Sequence, residues 1–413
     1  MKVRQVVLRL ASIYLLSLMF VFPGAPVSMS AEPPKEVLVG NLHPLTGPIA
    51  PIGTHISRAI KLAVEEINAS GGIKSLGGAK IKLIDADTEG KPDLAMQECE
   101  KLIREGVTAI IGAFQSATTF TSTAVAEKYK VPYIVPVSVA DEITERGFKY
   151  VFRNNGKGDW NARDTIDYIV YLNKLTGSKN NKLALIYEDT IYGQTTAKAA
   201  RKYAADAKIA IVANLPYPAN APDLTPVLMK LKQAKPNFVI GLSYVQDAIL
   251  ILNGVKDLRI DLDAFIGTGS GYSNPQILQI GKAAEYMICL DALNGDLKIK
   301  GLKEADERFF KKYNTHMDGA SSLSYVGVYI LKDALERAGS ADREKLRNAL
   351  AATNLAIGEK GNISSAPIKY DKNGQIDWHN MFKQIINGQF VSVYPPDLAP
   401  QKAVFPVPKW KDR

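Results

Sequence analysis

Short apolar runs alternate with helical patterns along most of the chain. The runs at 37–40, 81–84, 109–112, 133–137 and 150–152 are mostly rich in Ile and Val, as strands buried on both faces are. After the first of them, Ile56, Ile60, Ala63, Val64 and Ile67 recur at helical spacing until Gly71 and Gly72 stop the helix. Ala95, Cys99, Leu102 and Ile103 mark another helix, which ends at Gly106. A second series of runs lies at 183–187, 209–213, 238–242, 264–267 and 286–290, with helical patterns at 165–174 and 194–205. Strand, loop and helix repeated in two series predict an α/β fold of two doubly wound parallel-sheet lobes. Helices follow Leu290, one of them over 323–338. Runs at 367–370, 381–386 and 390–394 then read as strands joined by turns at Asn373-Gly374 and Asn387-Gly388. So short a tail completes a lobe rather than folding alone, so the chain crosses between lobes more than once. The expected division is 36–152 with 292–356 in one lobe, and 153–291 with 357–400 in the other.

The amino terminus adds a compartment. Lys2, Arg4 and Arg9 precede a mostly apolar stretch of 13 residues from Leu10 to Phe22, shorter than the roughly 20 that span a bilayer. Small residues up to Ala31 follow. This is the order of a cleaved secretory signal, expected to occupy 1–31 with the cut after Ser30 or Ala31. No Cys closely follows the apolar stretch, so no lipid anchor is expected, and the mature chain is placed in the periplasm. Of the formal charge of +9, three belong to the leader, which leaves +6. The remaining basic residues are spread among acids, so no nucleic-acid partner is expected.

The sequence carries almost no catalytic motif. Four His at 43, 55, 316 and 379 and two Cys leave no metal-ligand spacing. There is no Walker A sequence, no H-E-x-x-H, no G-x-S-x-G and no C-x-x-C. Gly267, Gly269 and Gly271 follow a strand, but Tyr272 stands where a dinucleotide fingerprint needs its third Gly. No catalytic residue, cofactor or metal is assigned. More informative are the loops after predicted strands: 112–119, 137–140, 190–193, 243–244 and 270–272. Amides and hydroxyls at a helix start, as at Gln115-Ser116, suit a carboxylate; Ser116 or Thr118 could equally be a plain cap. Five such loops suggest two sheets presenting their carboxyl edges to one cleft.

Particular stretches carry a resemblance. Pro44-Leu45-Thr46-Gly47-Pro48-Ile49 with Ile52-Gly53, Glu65-Glu66-Ile67-Asn68 with Gly71-Gly72-Ile73, the 112–119 loop, and Tyr192-Gly193 resemble the periplasmic branched-chain amino acid-binding proteins. These are type I solute-binding proteins of ABC transporters, and the resemblance spans about 37–394. It implies two lobes joined by a multi-crossing hinge, no enzyme activity, a small amino-acid-like ligand, a membrane permease as partner, and a monomer. It also implies that Ser116, with Gln115 beside it, holds the ligand's carboxylate, that Ser138 to Ala140 add contacts, and that Tyr192 and Tyr244 close from the second lobe. Two positions depart from the family. Ala140 lacks the hydroxyl often found there. Gly269 stands where amino acid binders carry an acid for the ligand's ammonium, and it is expected to leave extra volume. An unpaired buried ammonium is costly. Either Asp247 or Asp159 supplies the acid, or the ligand is a non-amino-acid carboxylate, an aromatic acid or an amide. Trp160 either stacks on the ligand from the hinge or packs as an ordinary aromatic. Cys99 and Cys289 fall in different lobes and are expected as two buried thiols.

Overall fold

The computed structural model describes residues 34–413. The leader expected at 1–31 lies outside them. Five strands open the fold: β1 (Glu36–His43), β2 (Lys80–Asp87), β3 (Ala109–Gly112), β4 (Tyr133–Val135) and β5 (Val151–Arg153). They form one sheet in the order β2-β1-β3-β4-β5, with every pair parallel. Next come β6 (Lys182–Glu188), β7 (Ala210–Tyr217), β8 (Phe238–Leu242), β9 (Ala264–Thr268) and β10 (Ile288–Asp291). They are followed by the two-residue strands β11 (Asn354–Leu355) and β12 (Ile368–Lys369), then by β13 (Met381–Ile386) and β14 (Gln389–Tyr394). The second sheet runs β14-β13-β10-β9-β8-β6-β7. Its parallel part, β7-β6-β8-β9-β10, repeats the strand order of the first sheet. In each sheet the order reverses beside the founding strand, at β1/β3 and at β6/β8. Open α/β sheets take their ligands at such a reversal, beyond the carboxyl ends of the strands.

The helices after β10 return to the first sheet. The helix Ala50–Ala69 buries Ile52, Ile56, Ile60 and Ile67, and the helix Gly319–Ala338 packs along it. A polar clasp fixes their register. Glu66 accepts hydrogen bonds from Tyr325 Oη at 2.5 Å and Tyr329 Oη at 2.9 Å, and pairs with Arg308 at 2.6 Å. Tyr325 is therefore a core residue. The long helix starts at Gly319, ahead of the apolar pattern at 323, because Asp318 and Ser321 cap it reciprocally.

The tail visits both sheets. Gln375 bridges in parallel with Arg153 of β5, and the Tyr370 ring lies 5.2 Å from that of Phe152. The chain then enters the second sheet as β13, antiparallel to β10. Asn387 and Gly388 join β13 to β14 with φ of 52° and 74°, the sign that tight hairpin turns require. The run expected at 367–370 shortens to two paired residues, because the turn after it returns through the single bridge Tyr370–Ile376. Cys99 and Cys289 are both free and buried. Among the described residues no helix is long and apolar enough to cross a membrane.

Candidate functional site: a cleft between the two sheets

The loops after β3 and β4 face those after β6, β8 and β9 across one small cavity. From the first sheet it is lined by Phe114, Ser116 and Val137 to Val139, and from the second by Tyr192, Ser243, Tyr244, Gly269 and Gly271. The room between them is about 30 Å³, two or three water positions. The Phe114 and Tyr244 rings approach to 5.8 Å and Tyr192 lies 5.7 Å from Tyr244. Phe114 and Tyr244 also belong to one continuous apolar cluster that joins the two halves.

On the first side, the helix Ser116–Lys128 begins at the cavity with no side-chain cap, which leaves its first amides and its positive dipole end directed there. Ser116 Oγ accepts from the Ala140 amide at 3.2 Å. Its own proton has no acceptor among the described residues. Ala140 thus serves the site through its backbone, while its buried methyl lies outside the lining. Ser138 is spent on structure: Oγ donates to the Phe114 carbonyl at 2.8 Å and also bonds Thr119 Oγ1. The strain of Phe114, at φ 100°, is thereby held in place. Behind the 138–140 loop, Arg153 is fully buried and donates to Ala140 O at 2.7 Å, Thr144 Oγ1 at 2.8 Å and Gln375 Oε1 at 2.6 Å. Burial lowers its pKa to about 10. Gln115 is buried beside the site, outside the lining, and its Oε1 has no partner among the described residues.

On the second side, Tyr192 Oη donates to the Thr268 carbonyl at 2.8 Å, so this residue offers the cavity its ring more than its proton. Glu188, at the end of β6, accepts from the Gly193 amide at 2.8 Å and from Thr190 N at 2.8 Å. It fixes the start of the helix Ile191–Asp206 that carries Tyr192. Burial raises the Glu188 pKa. Ser243 accepts from Tyr217 Oη at 2.6 Å and lies 3.0 Å from Tyr272 Oη.

Gly269 gives no extra volume, contrary to expectation. A Cβ there would meet Tyr192 Oη at 2.8 Å, and its φ is 72°; the tyrosine hydroxyl fills the room. The Gly-rich loop is close-packed for the same kind of reason, since a Cβ on Gly271 would lie 2.0 Å from the Ser243 carbonyl. Three other candidates stand apart from the lining. Asp247 is buried, with only a 3.4 Å contact to the Asn220 amide, and burial pushes its pKa up to about 6. Asp159 accepts from Tyr203 Oη at 2.8 Å. Trp160 is half-buried on the helix Gly158–Thr176 with Lys157 Nζ 5.1 Å from its ring centre.

A second small void, also about 30 Å³, shares Val137, Val139 and Gly269 with the first and continues toward the hinge. Its polar lining is Asn155, Asn161, Asn380 and Asp291. Sequence reasoning missed all four, since they lie on separate elements that only the chain crossings bring together.

Comparison with known proteins fits this architecture. The sequence profile of the family described as periplasmic binding protein matches residues 36–382. The Leu/Ile/Val-binding protein homolog 7 of Brucella melitensis is 32% identical over 388 residues, which are 90% of this chain and 94% of the relative. Homolog 8 of Brucella abortus is 30% identical over 389 residues, 90% and 93% of the two chains. The crystal structure of LivJ from Streptococcus pneumoniae, a branched-chain amino acid transporter substrate-binding protein in complex with isoleucine, superposes with a TM-score of 0.77 at 22% identity, covering 86% of this chain and 98% of that one. A solute-binding protein of an ABC transporter from R. palustris in complex with benzoate superposes at 0.78 with 20% identity, covering 90% and 99%.

Proposed function

We propose, from the premise that this chain belongs to the periplasmic binding protein family, that it is the extracytoplasmic receptor of an ABC importer and captures a small amino-acid-like ligand by its carboxylate. The observation that carries this reading is the first wall of the cleft: an uncapped helix start and a Ser116 hydroxyl whose proton is unclaimed. Such a start with a free hydroxyl suits an anionic oxygen. Tyr244 and Tyr192 would then close on the apolar part of the solute from the other lobe, and Ser138 would hold the loop that presents Ser116, with Gln115 buried beside it. The lobes comprise 36–152 with 292–356 and 153–291 with the tail. The Arg153–Gln375 bridge supports a last crossing after Gln375 rather than at 357. Capture is a closure of the lobes, and the closed form docks on a membrane permease as a monomer. The leader is removed near Ala31 and leaves no lipid.

Titration calorimetry of the mature protein with leucine, isoleucine and valine, and with benzoate as a carboxylate that lacks an ammonium, tests the reading. Binding of any of these that falls on Ser116→Ala supports it; binding untouched by that change removes the carboxylate role. A second reading, a carboxylate without an α-ammonium, draws on the lining itself, which holds no carboxylate side chain.

A further inference from the structure

We infer that the cleft takes an elongated carboxylate whose far end is an uncharged hydrogen-bonding group, a hydroxyl or amide, lodged in the second void beside Asn161; this rests on the reading of Ser116 as the carboxylate anchor. The two voids share Val137, Val139 and Gly269 in their walls, so they adjoin, and a solute held between parted lobes can reach into both. The Ser116 end carries no ionised side chain in its lining. At the hinge end the one acid, Asp291, is already matched: its Oδ2 lies 2.6 Å from the buried Lys383 Nζ and its Oδ1 accepts from the Ala292 amide at 2.7 Å. An ammonium arriving there would meet a carboxylate whose charge Lys383 already offsets, so the hinge end offers it no net negative charge. The remaining polar groups are amides. Asn380 is fully engaged: its Nδ2 donates to Asn161 Oδ1 at 3.0 Å and Asp164 Oδ2 at 2.9 Å, and its Oδ1 accepts from Trp378 Nε1 at 3.2 Å. Asn155 likewise spends one N–H on Val137 O at 2.9 Å. Asn161 is buried, its Oδ1 is held by Asn380, and its Nδ2 donates no hydrogen bond among the described residues. A ligand oxygen is the partner that amide lacks. Charge is thus received at one end and neutral hydrogen bonding at the other. Gly269, with Val137 and Val139, forms the wall that the two voids share.

The test is calorimetry on the mature protein with three probes: 4-hydroxybenzoate, benzoate and L-leucine. One added hydrogen bond to a buried amide should make 4-hydroxybenzoate bind about tenfold more tightly than benzoate, with leucine weakest. Asn161→Ala should abolish that preference, so that 4-hydroxybenzoate and benzoate bind the variant equally. Benzoate equal to or tighter than 4-hydroxybenzoate in the wild type overturns the inference, and this comparison stands even where the variant fails to fold. A preference that survives in a folded Asn161→Ala overturns it as well. Leucine tightest, and weakened by Ser116→Ala, also overturns it but leaves the carboxylate anchor in place; no binding by any of the three overturns it for this class of solute.

Discussion

At Ser116 the hydroxyl oxygen is taken by the Ala140 amide while the proton stays unclaimed; at Tyr192 the proton is given to Thr268 O. The two residues should therefore fail differently. Ser116→Ala removes a donor to a charged group, which costs about 1.5–3 kcal/mol, and the dissociation constant for a bound carboxylate should rise by about ten- to a hundredfold. Tyr192→Phe keeps the ring and should cost the solute far less than Tyr192→Ala, which calorimetry on the two variants compares directly; equal losses would mean that the hydroxyl itself meets the solute. Asp247 carries a pH prediction. Burial raises its pKa from 3.8 to about 6, so the folded protein favours the protonated form. Its stabilising contribution is complete below the unfolded aspartate value and is lost as pH rises through about 6. Asp247→Asn should match the wild type near pH 3.5 and be more stable by roughly 2–3 kcal/mol at pH 8. Urea denaturation at both pH values checks this, and an equal gain at both would rule out the carboxylate's titration as the cause.

Among the elements, the central strands were the most readable. β3 and β8 fall on Ala109–Gly112 and Phe238–Leu242 as their apolar runs suggest, because a strand buried on both faces needs apolar side chains throughout. Helix starts were less readable. Gly158-Asp159-Trp160 and Gly319-Ala320-Ser321 carry no apolar period; the second start is fixed by the Asp318–Ser321 cap, and the first packs so closely that a Cβ on Gly158 would meet Thr196 Oγ1 at 2.8 Å. In the site, the loops could be found from the ends of the parallel strands, but the filling of Gly269 by Tyr192 is a contact between residues 77 positions apart, which no local pattern encodes. Arg153 is a similar case. It reads in the sequence as one more basic residue, and in the fold it ties β5, the 138–140 loop and the returning tail together. Arg153→Met would leave the buried Ala140 O and Thr144 Oγ1 without that donor, and Gln375 Oε1 with only Thr144 Oγ1 at 3.3 Å. Each unsatisfied group costs about 1–3 kcal/mol, so we expect a loss of roughly 3 kcal/mol or more in denaturant titrations. A loss below about 1 kcal/mol would mean that water replaces the guanidinium.

For the whole molecule, the size of the cavity decides how a solute gets in. Two adjoining voids of about 30 Å³ each hold a few water positions, less than any organic solute needs, and the Phe114 and Tyr244 ring centres face each other across the cleft at 5.8 Å. Entry therefore requires the lobes to part. Three stretches cross between the sheets: Asn154 to Lys157 after β5, the chain leaving β10, and the chain entering β13. Crossings of this kind permit a hinge motion in which each lobe stays rigid. A solute that touches both walls is held only when the lobes close around it, so its binding shifts the population from parted lobes toward that ligand-filled arrangement. The radius of gyration from small-angle X-ray scattering should fall when the tightest-binding of the tested carboxylates is added at saturation. The protein should also gain about 2.7 kcal/mol of stability at 100 times the dissociation constant. Tyr244→Ala, which removes the ring that meets Phe114, should weaken the compaction more than it weakens the fold. Scattering unchanged by a solute that calorimetry shows to bind, with binding still sensitive to Ser116→Ala, would sink the hinge argument and require a rigid cleft that admits the solute by rotation of its aromatic rings.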